Sequence, residues 1–193
     1  WFVVEADESD GTHLELPLHA TVLTNVEADH LDHYGTLDAI VDGFDRYLRQ
    51  VPGPKVLCVD DPVCARLIGA LGPGAGVVGY GTSSAADVRA VDVRADKGAF
   101  RFQVERHGEL VGEVHLPLRG VHNVRNACGA LALALKLGVP AGPAIAALER
   151  FGGVARRFDV RGEHGGATFV DDYAHLPSEI DAVLTAARDS GDG

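Results

Sequence analysis

Short apolar runs that each end in polar residues are the feature that most constrains what this chain can fold into. They lie at residues 1–5, 20–24 and 55–59, and such runs are typical of strands buried on both faces, as in parallel sheets. Between the second and third runs, apolar residues recur with the spacing of one helix face over residues 36–50, and Thr36 can cap that helix. Strand, helix and strand in succession predict a βαβ unit, and therefore an α/β fold with a mostly parallel sheet and flanking helices.

The remaining elements follow from changes in the apolar pattern. Alternating apolar and polar residues between 77 and 118, with glycines at the turns, predict a small antiparallel β meander of three strands. Helical periodicity predicts helices at 62–71, 123–137, 141–151 and 177–187, and a last apolar run predicts a strand at 167–170. Gly152 and Gly153 form the best candidate for a linker between two domains.

Composition excludes several classes of protein. Asp and Glu number 28 against 17 Lys and Arg, and the net charge of −11, without a basic cluster, argues against a nucleic-acid partner. No apolar run is long enough to span a membrane. The three cysteines, Cys58, Cys64 and Cys128, form no CxxC pair, so we expect reduced thiols in the core of a cytoplasmic protein. Because the chain has no Met and begins within an apolar run, we also expect it to be a piece of a longer protein.

Two acidic clusters follow directly on predicted strands. The first reads E-A-D-E-S-D over residues 5–10, and the second reads N-V-E-A-D-H-L-D over residues 25–32. Because ligands bind beyond the carboxyl ends of the strands in α/β sheets, these clusters can converge on one site. Carboxylate oxygens suit Mg²⁺, and His30 suits either a metal ligand or a proton acceptor. The alternatives are a solvated acidic loop for the first cluster and an ordinary polar residue for His30.

Three further clusters lie in the second half of the chain. R-G-V-H-N-V-R-N over residues 119–126 opens the strongest predicted helix, whose N-terminus favours an anion and whose Asn side chains suit a nucleobase. A plain N-cap is the alternative for Asn123. R-R-F over residues 156–158 follows the predicted linker, so an Arg there can reach across a cleft to a phosphate or form an ordinary surface salt bridge. D-D-Y-A-H over residues 171–175 forms a strand-to-helix turn that is either functional or a simple loop.

In their sequence, order and spacing, the five clusters resemble one family, the Mur ligases, which join amino acids to UDP-muramoyl precursors of peptidoglycan. The matching motifs are E-A-D-E-S-D, N-V-E-A-D-H-L-D, G-x-H-N-x-x-N, R-R-F and D-D-Y-A-H. The forms of the first two resemble those of the alanine-adding branch of the family. Several sister ligases carry a carbamylated Lys after the His motif. Here no Lys occurs between His30 and Lys55, which is consistent with the alanine-adding branch.

The resemblance implies a three-domain protein of which this chain is the middle part. Residues 1–153 would form most of a central ATP-binding domain of P-loop type, and residues 154–193 would begin a Rossmann-like C-terminal domain with its first strand and helix. The family's phosphate loop does not occur in the chain and is expected upstream of Trp1. We therefore expect these 193 residues alone to lack ligase activity.

The activity implied by the resemblance is ATP-dependent addition of L-alanine to UDP-N-acetylmuramate through an acyl phosphate. ATP and Mg²⁺ are the implied cofactors, and UDP-N-acetylmuramate and L-alanine are the implied partners. The process that the resemblance implies is peptidoglycan synthesis in the cytoplasm, which supports cell shape and division. Two alternatives stay open: a Mur ligase that adds a different amino acid, and a non-catalytic nucleotide-binding module.

The resemblance also implies roles for individual residues. The catalytic residues would be Glu5, His30, Arg157 and His175, of which Glu5 and His30 would also bind the metal. The nucleotide would contact His122, Asn123, Asn126, Arg157 and Asp172. The muramoyl substrate would contact Asn25, Tyr173 and His175. One position departs from the family pattern, because Leu176 stands where alanine-adding members commonly have a second His, which leaves the substrate contact there open.

Overall fold

The computed structural model describes residues 1–6 and 8–189 and contains two β-sheets. The larger is six-stranded in the order of the sequence, with strands β1 Thr21–Leu23, β2 Lys55–Cys58, β3 Val77–Gly81, β4 Val88–Asp96, β5 Ala99–Arg106 and β6 Glu109–Leu116. The first four strands pair in parallel, whereas β4, β5 and β6 pair antiparallel. The structure therefore confirms the α/β fold and the three-stranded meander, and it shows that the meander extends the parallel sheet.

Apart from a short first helix that was not predicted, the helices lie at or near the predicted positions. They are α1 Leu31–Tyr34, α2 Leu37–Gln50, α3 Pro62–Leu71, α4 Val121–Lys136, α5 Ala141–Glu149 and α6 Pro177–Asp189, with a 3₁₀ helix at Thr12–Glu15. The predicted cap of α2 is confirmed, since the Thr36 hydroxyl accepts a hydrogen bond from the Ala39 N–H at 3.2 Å. Asp61 caps α3 in the same way by accepting from the Cys64 N–H at 2.7 Å.

Helices cover the sheet on both faces, which explains why its strands read as continuous apolar runs. Successive residues of β2 point to opposite faces: Val56 belongs to the apolar cluster that includes α4, and Leu57 to the cluster that includes α2 and α3. All three cysteines are free and buried, as predicted. No helix within residues 1–6 and 8–189 is long and apolar enough to cross a membrane.

The strand predicted at residues 1–5 does not form. Trp1 and Phe2 are 85% and 92% exposed, and the ring of Trp1 lies 5.1 Å from that of His19. The prediction was wrong because an apolar run becomes a buried strand only where a neighbouring strand and covering layers surround it. Among the described residues, β1 pairs with β2 alone, and no strand lies against its other edge.

Two other differences concern the second half of the chain. A strand β7 at Asp159–His164 pairs antiparallel with the predicted strand, which is β8 at Ala167–Asp171. Sequence analysis missed β7 because it is polar and almost wholly exposed. The helix α4 also begins two residues earlier than predicted, with Gly120 at the N-cap position, so Asn123 lies in the first turn and is not a cap.

Helix α4 lies so close to β3 that Gly129 leaves no room for a side chain. A Cβ atom there would lie 2.8 Å from Cζ of Tyr80, whose side chain is fully buried. We expect Gly129→Ala to lower the free energy of unfolding by about 1–3 kcal/mol, because the helix must move away from the sheet. Gly69→Ala in α3 is the matched control, since nothing lies within 4 Å of its Cβ position; it is expected to stabilise by about 0.5–1 kcal/mol. Equal effects of the two substitutions in urea unfolding would contradict this packing.

Candidate functional site

The N-terminus of α4 carries the third cluster and faces the segment that follows the main sheet. His122 is half-buried, and its Nε2 lies 3.1 Å from Nδ2 of Asn123, which also donates to the Arg119 carbonyl at 2.8 Å. Burial lowers the pKa of His122, and the nearby carboxylate of Asp172 opposes this in part. Asn126, further along the same helix, is exposed.

Asp172 fastens the R-R-F turn to the D-D-Y-A-H segment. Its carboxylate accepts hydrogen bonds from the backbone N–H of Phe158 at 2.7 Å and of Ala174 at 2.8 Å. The Tyr173 N–H in turn donates to the Arg156 carbonyl at 2.9 Å. Arg156 and Phe158 both have positive φ, at 61° and 50°, a conformation uncommon for residues other than glycine. The hydrogen bonds therefore hold a tight turn that directs the side chains of Arg156 and Arg157.

Both arginines lie against the ring of Tyr173. The guanidinium carbon is 4.8 Å from the ring centroid for Arg156 and 5.8 Å for Arg157, within the range of a cation–π contact. Nη1 of Arg157 also lies 3.9 Å from Oε1 of Glu179. About half of the Arg157 side chain is exposed, so its guanidinium group remains open to a ligand.

His175 links the same segment to the loop after β1. Its Nδ1 lies 3.0 Å from the Tyr173 carbonyl and 3.4 Å from Oε2 of Glu179, and its Nε2 lies 3.7 Å from Oδ2 of Asp29. The hydrogen bond to Tyr173 first, and then the carboxylates of Glu179 and Asp29, raise the pKa of His175. The carboxylate of Glu179 also accepts from the N–H groups of His175 and Leu176 at the start of α6. Against the effect of burial, these contacts lower the pKa of Glu179.

The second acidic cluster contains Asp29, the carboxylate that His175 contacts. Asp29 accepts from the backbone N–H of His30 at 2.7 Å, and its other oxygen lies 3.4 Å from Nε2 of His30. Glu27 accepts from Nδ2 of the exposed Asn25 at 3.2 Å and from the hydroxyl of Ser178. The second acidic cluster, the first turn of α4, the R-R-F turn and the D-D-Y-A-H segment thus meet at one place, which we call the junction.

The first acidic cluster contacts α1, the short helix that begins within the second acidic cluster. Its backbone is tied to α1, because the Tyr34 hydroxyl donates to the Glu8 carbonyl at 2.5 Å, while Glu5 is exposed. Asp7 lies outside the described residues. Within the part of the chain that the structure describes, no group of three or more His, Cys, Asp or Glu side chains is placed to hold a metal ion.

Sequence analysis missed Arg119 as a member of the junction. Its guanidinium carbon lies 5.1 Å from the ring centroid of Phe158, and a Cβ at Gly98 would lie 2.9 Å from its Nη2. The signal was present, because Arg119 opens the third cluster and precedes Gly120, but nothing in the sequence pairs it with Phe158.

Comparison with known proteins shows the family of this chain. Residues 2–134 match the model of the Mur ligase middle domain. The chain belongs to the Mur ligase family. Proteins called UDP-N-acetylmuramate–L-alanine ligase from Methylorubrum extorquens and Xanthobacter autotrophicus are 45% and 47% identical to it over its whole length. The chain spans 43% of the length of each of these relatives.

Solved structures of Mur ligases share the fold. The UDP-N-acetylmuramate–alanine ligase MurC of Thermotoga maritima is 30% identical, with a TM-score of 0.81 over 97% of this chain and 42% of its own. MurF of Acinetobacter baumannii is 26% identical, with a TM-score of 0.72 over 87% of this chain and 37% of its own. The sheet and helices described above are therefore those of a Mur ligase.

We expect the pKa of His122 to lie below that of an ordinary imidazole and the pKa of His175 to lie above it. Burial favours neutral His122, whereas the Tyr173 carbonyl and two carboxylates favour protonated His175. In NMR titrations of the imidazole Cε1–H signals, we expect Glu179→Gln to lower the pKa of His175 and to leave that of His122 nearly unchanged. A pKa for His122 above that of His175 in the unsubstituted chain would contradict the described contacts.

The same shifts set the pH range in which the contacts around His175 stabilise the fold. Because folding raises the pKa of His175, its contribution is present below the unfolded pKa and is lost as pH rises through the folded value. Because folding lowers the pKa of Glu179, its contribution is present above the unfolded pKa and is lost as pH falls through the folded value. Both contributions are therefore fully present between the unfolded pKa of Glu179 and the unfolded pKa of His175.

Proposed function

We propose that this chain is part of an ATP-dependent ligase that joins L-alanine to UDP-N-acetylmuramate. The observation that carries the proposal is the junction, where the R-R-F turn and the D-D-Y-A-H segment meet the N-terminus of α4 and the loop after β1. Relatives with that activity in their names match the chain over its whole length. The proposed setting is peptidoglycan synthesis in the cytoplasm.

We infer a domain boundary near Gly153. Residues 1–153 would be most of the central ATP-binding domain and would contain the whole six-stranded sheet. Residues 154–193 would begin the C-terminal domain, starting with the R-R-F turn and the β7–β8 hairpin. The junction would then lie between the two domains, where a ligand could contact both.

The residues at the start of α4 fit an adenine nucleotide. Asn126 is exposed, and the amides of Asn123 and Asn126 can each donate to and accept from a base. A helix N-terminus attracts phosphate, and Arg157 presents a half-exposed guanidinium group nearby that suits bidentate phosphate binding. We propose that His122, Asn123, Asn126, Arg157 and Asp172 form the protein's side of the nucleotide site, with Asp172 acting by holding the R-R-F turn.

We propose that a magnesium ion arrives with the nucleotide and is held only in part by protein, through Glu5 and His30. Mg²⁺ commonly takes one or two protein ligands and completes its shell with water and phosphate oxygens, so Glu5 and His30 can suffice without a third protein ligand. When bound, the ion would neutralise charge on the transferred phosphoryl group. Nε2 of His30 lies 3.4 Å from Oδ2 of Asp29, and neighbouring carboxylates commonly orient metal-binding imidazoles.

The chain's own residues would then position two reactants. A carboxylate is a poor electrophile, and its phosphorylation by ATP would give an acyl phosphate, whose carbonyl carbon the amine of L-alanine would attack with phosphate as the leaving group. Asn25, Tyr173 and His175 would bind and orient the muramoyl substrate, and holding the groups in line supplies most of the rate enhancement. His175, with its raised pKa, is suited to bind an anionic group of that substrate.

The amino acid added by the full-length ligase tests the proposed function. We expect ATP hydrolysis coupled to amide formation with UDP-N-acetylmuramate and L-alanine, and little product with D-glutamate or a diamino acid. Preference for one of the latter would identify a different Mur ligase. Residues 1–193 alone are expected to form no amide bond, and detectable product from that chain would contradict the proposed division of the site between domains.

The proposed metal role of Glu5 and His30 has its own test in the full-length ligase. Glu5→Ala and His30→Ala are expected to raise the Mg²⁺ concentration needed for half-maximal activity by about tenfold or more. Glu15→Ala, which removes a carboxylate from the nearby 3₁₀ helix, is the control and is expected to leave that concentration unchanged. An unchanged Mg²⁺ dependence in both site variants would refute the assignment.

A further inference from the structure

Asp60 is a nearly buried carboxylate to which the proposed function gives no role. It follows directly on β2, and its side chain is 8% exposed. Its oxygens accept hydrogen bonds from the Thr82 N–H at 2.7 Å, the Thr82 hydroxyl at 2.7 Å and the Ser83 N–H at 3.0 Å. Burial opposes ionisation of Asp60, but the hydrogen bonds from Thr82 and Ser83 outweigh it and hold its pKa below the ordinary value.

The ionised carboxylate also reaches α4. Nε of Arg125 lies 3.2 Å from Oδ2 of Asp60, so the ion pair joins the end of β2 to the second turn of the helix. Arg125 is three residues beyond His122 and adjacent to Asn126, and residues three apart are neighbours on a helix surface. A shift of the Arg125 side chain would therefore act directly on the face that carries the proposed nucleotide contacts.

The turn after β3 closes over the carboxylate of Asp60. A Cβ on Gly81 would lie 2.7 Å from Oδ1 of Asp60, so only glycine lets the turn after β3 close over the oxygens. The carboxylate thus holds three pieces of the molecule in register: the end of β2, the Thr82–Ser83 turn after β3, and α4.

We propose that Asp60 is a positioning residue that fixes the nucleotide-binding face of α4 through Arg125 and the Thr82–Ser83 turn. The inference rests on the proposed function, because it assumes that His122, Asn123 and Asn126 contact the nucleotide. Apolar packing holds α4 against the sheet but is not directional, whereas the ion pair of Arg125 with Asp60 ties one point of the helix to a carboxylate that Thr82 and Ser83 hold by hydrogen bonds.

The direction in which the pKa of His122 shifts distinguishes a positioning role of Asp60 from a purely structural one. The charged groups around His122 are Asp172, which raises its pKa, and Arg125 and Arg157, which lower it. Asp60→Asn leaves Arg125 without its counter-charge, so the pKa of His122 is expected to fall further. Simple loosening of α4 would expose His122 and move its pKa up towards the ordinary value.

Two readouts test this, with Asp45→Asn as the matched control because Asp45 pairs with Arg49 at 2.8 Å on α2. In the chain of residues 1–193, NMR titration of His122 is expected to show a lower pKa in Asp60→Asn, a higher one in Arg125→Gln and no change in Asp45→Asn. In the full-length ligase, Asp60→Asn and Arg125→Gln are each expected to raise KM for ATP about tenfold with kcat changed less than about threefold.

The outcomes distinguish this inference from the proposed function. A pKa of His122 that rises in Asp60→Asn, or that does not move, overturns the positioning role, as does an unchanged KM for ATP in an active ligase. If the unsubstituted full-length protein does not use ATP, the proposed function fails, and the inference falls with it even where the NMR shifts are as expected. Should Asp60→Asn not fold, Thr82→Val, which removes one donor to Asp60 and keeps the charge, is expected to raise KM for ATP severalfold, and no change would overturn the role.

Discussion

The close packing of α4 on the parallel strands is the contact on which the rest of the site depends. Gly129 brings the helix against the ring of Tyr80, and the Tyr80 hydroxyl donates to the Leu23 carbonyl at 3.3 Å. One buried side chain thereby relates α4 to β3 and to the end of β1. Because the helix is set at this distance and direction, its N-terminus comes out beside the carboxyl ends of the strands, where α/β sheets bind their ligands.

Polar contacts then connect that helix end to the segment beyond the main sheet. Asp172 holds the R-R-F turn by two backbone hydrogen bonds, and Phe158 in that turn lies under Arg119. On the other side, Glu27 and Asp29 contact Ser178 and His175. The first set of contacts joins half-buried groups, whereas in the second set half-buried carboxylates meet the exposed side chains of Ser178 and His175. In a protein whose proposed chemistry needs two domains to meet, we infer that the exposed contacts are the easier ones to exchange for a substrate.

Much of this fold was predictable because its central elements carry strong local signals. The run at 55–59, the helix capped by Thr36 and the helix opened by Asp61 and Pro62 formed as expected. Residues 1–5 carry an equally strong apolar signal and form no strand, because burial depends on neighbours that a run of residues does not encode. The strand β7 was missed because it is polar. Its pairing with β8 comes from backbone hydrogen bonds, which leave no apolar pattern in the sequence. The motifs predicted the candidate site residues, but the contacts between Asp29 and His175 and between Arg119 and Phe158 join residues far apart in the chain.

The strongly acidic composition conflicts with a site for an anionic nucleotide only if the carboxylates are counted as free charges. Within the junction, most are already committed to donors: Asp172 to two backbone N–H groups, and Glu179 to the N–H groups at the start of α6. Asp60, next to α4, is likewise enclosed by Thr82, Ser83 and Arg125. A carboxylate whose oxygens accept from fixed donors repels a nearby anion much less than an exposed one. The half-exposed guanidinium of Arg157 at the junction and the exposed amide of Asn126 on α4 stay open, which supports the proposed phosphate and base contacts although the net charge of the chain is −11.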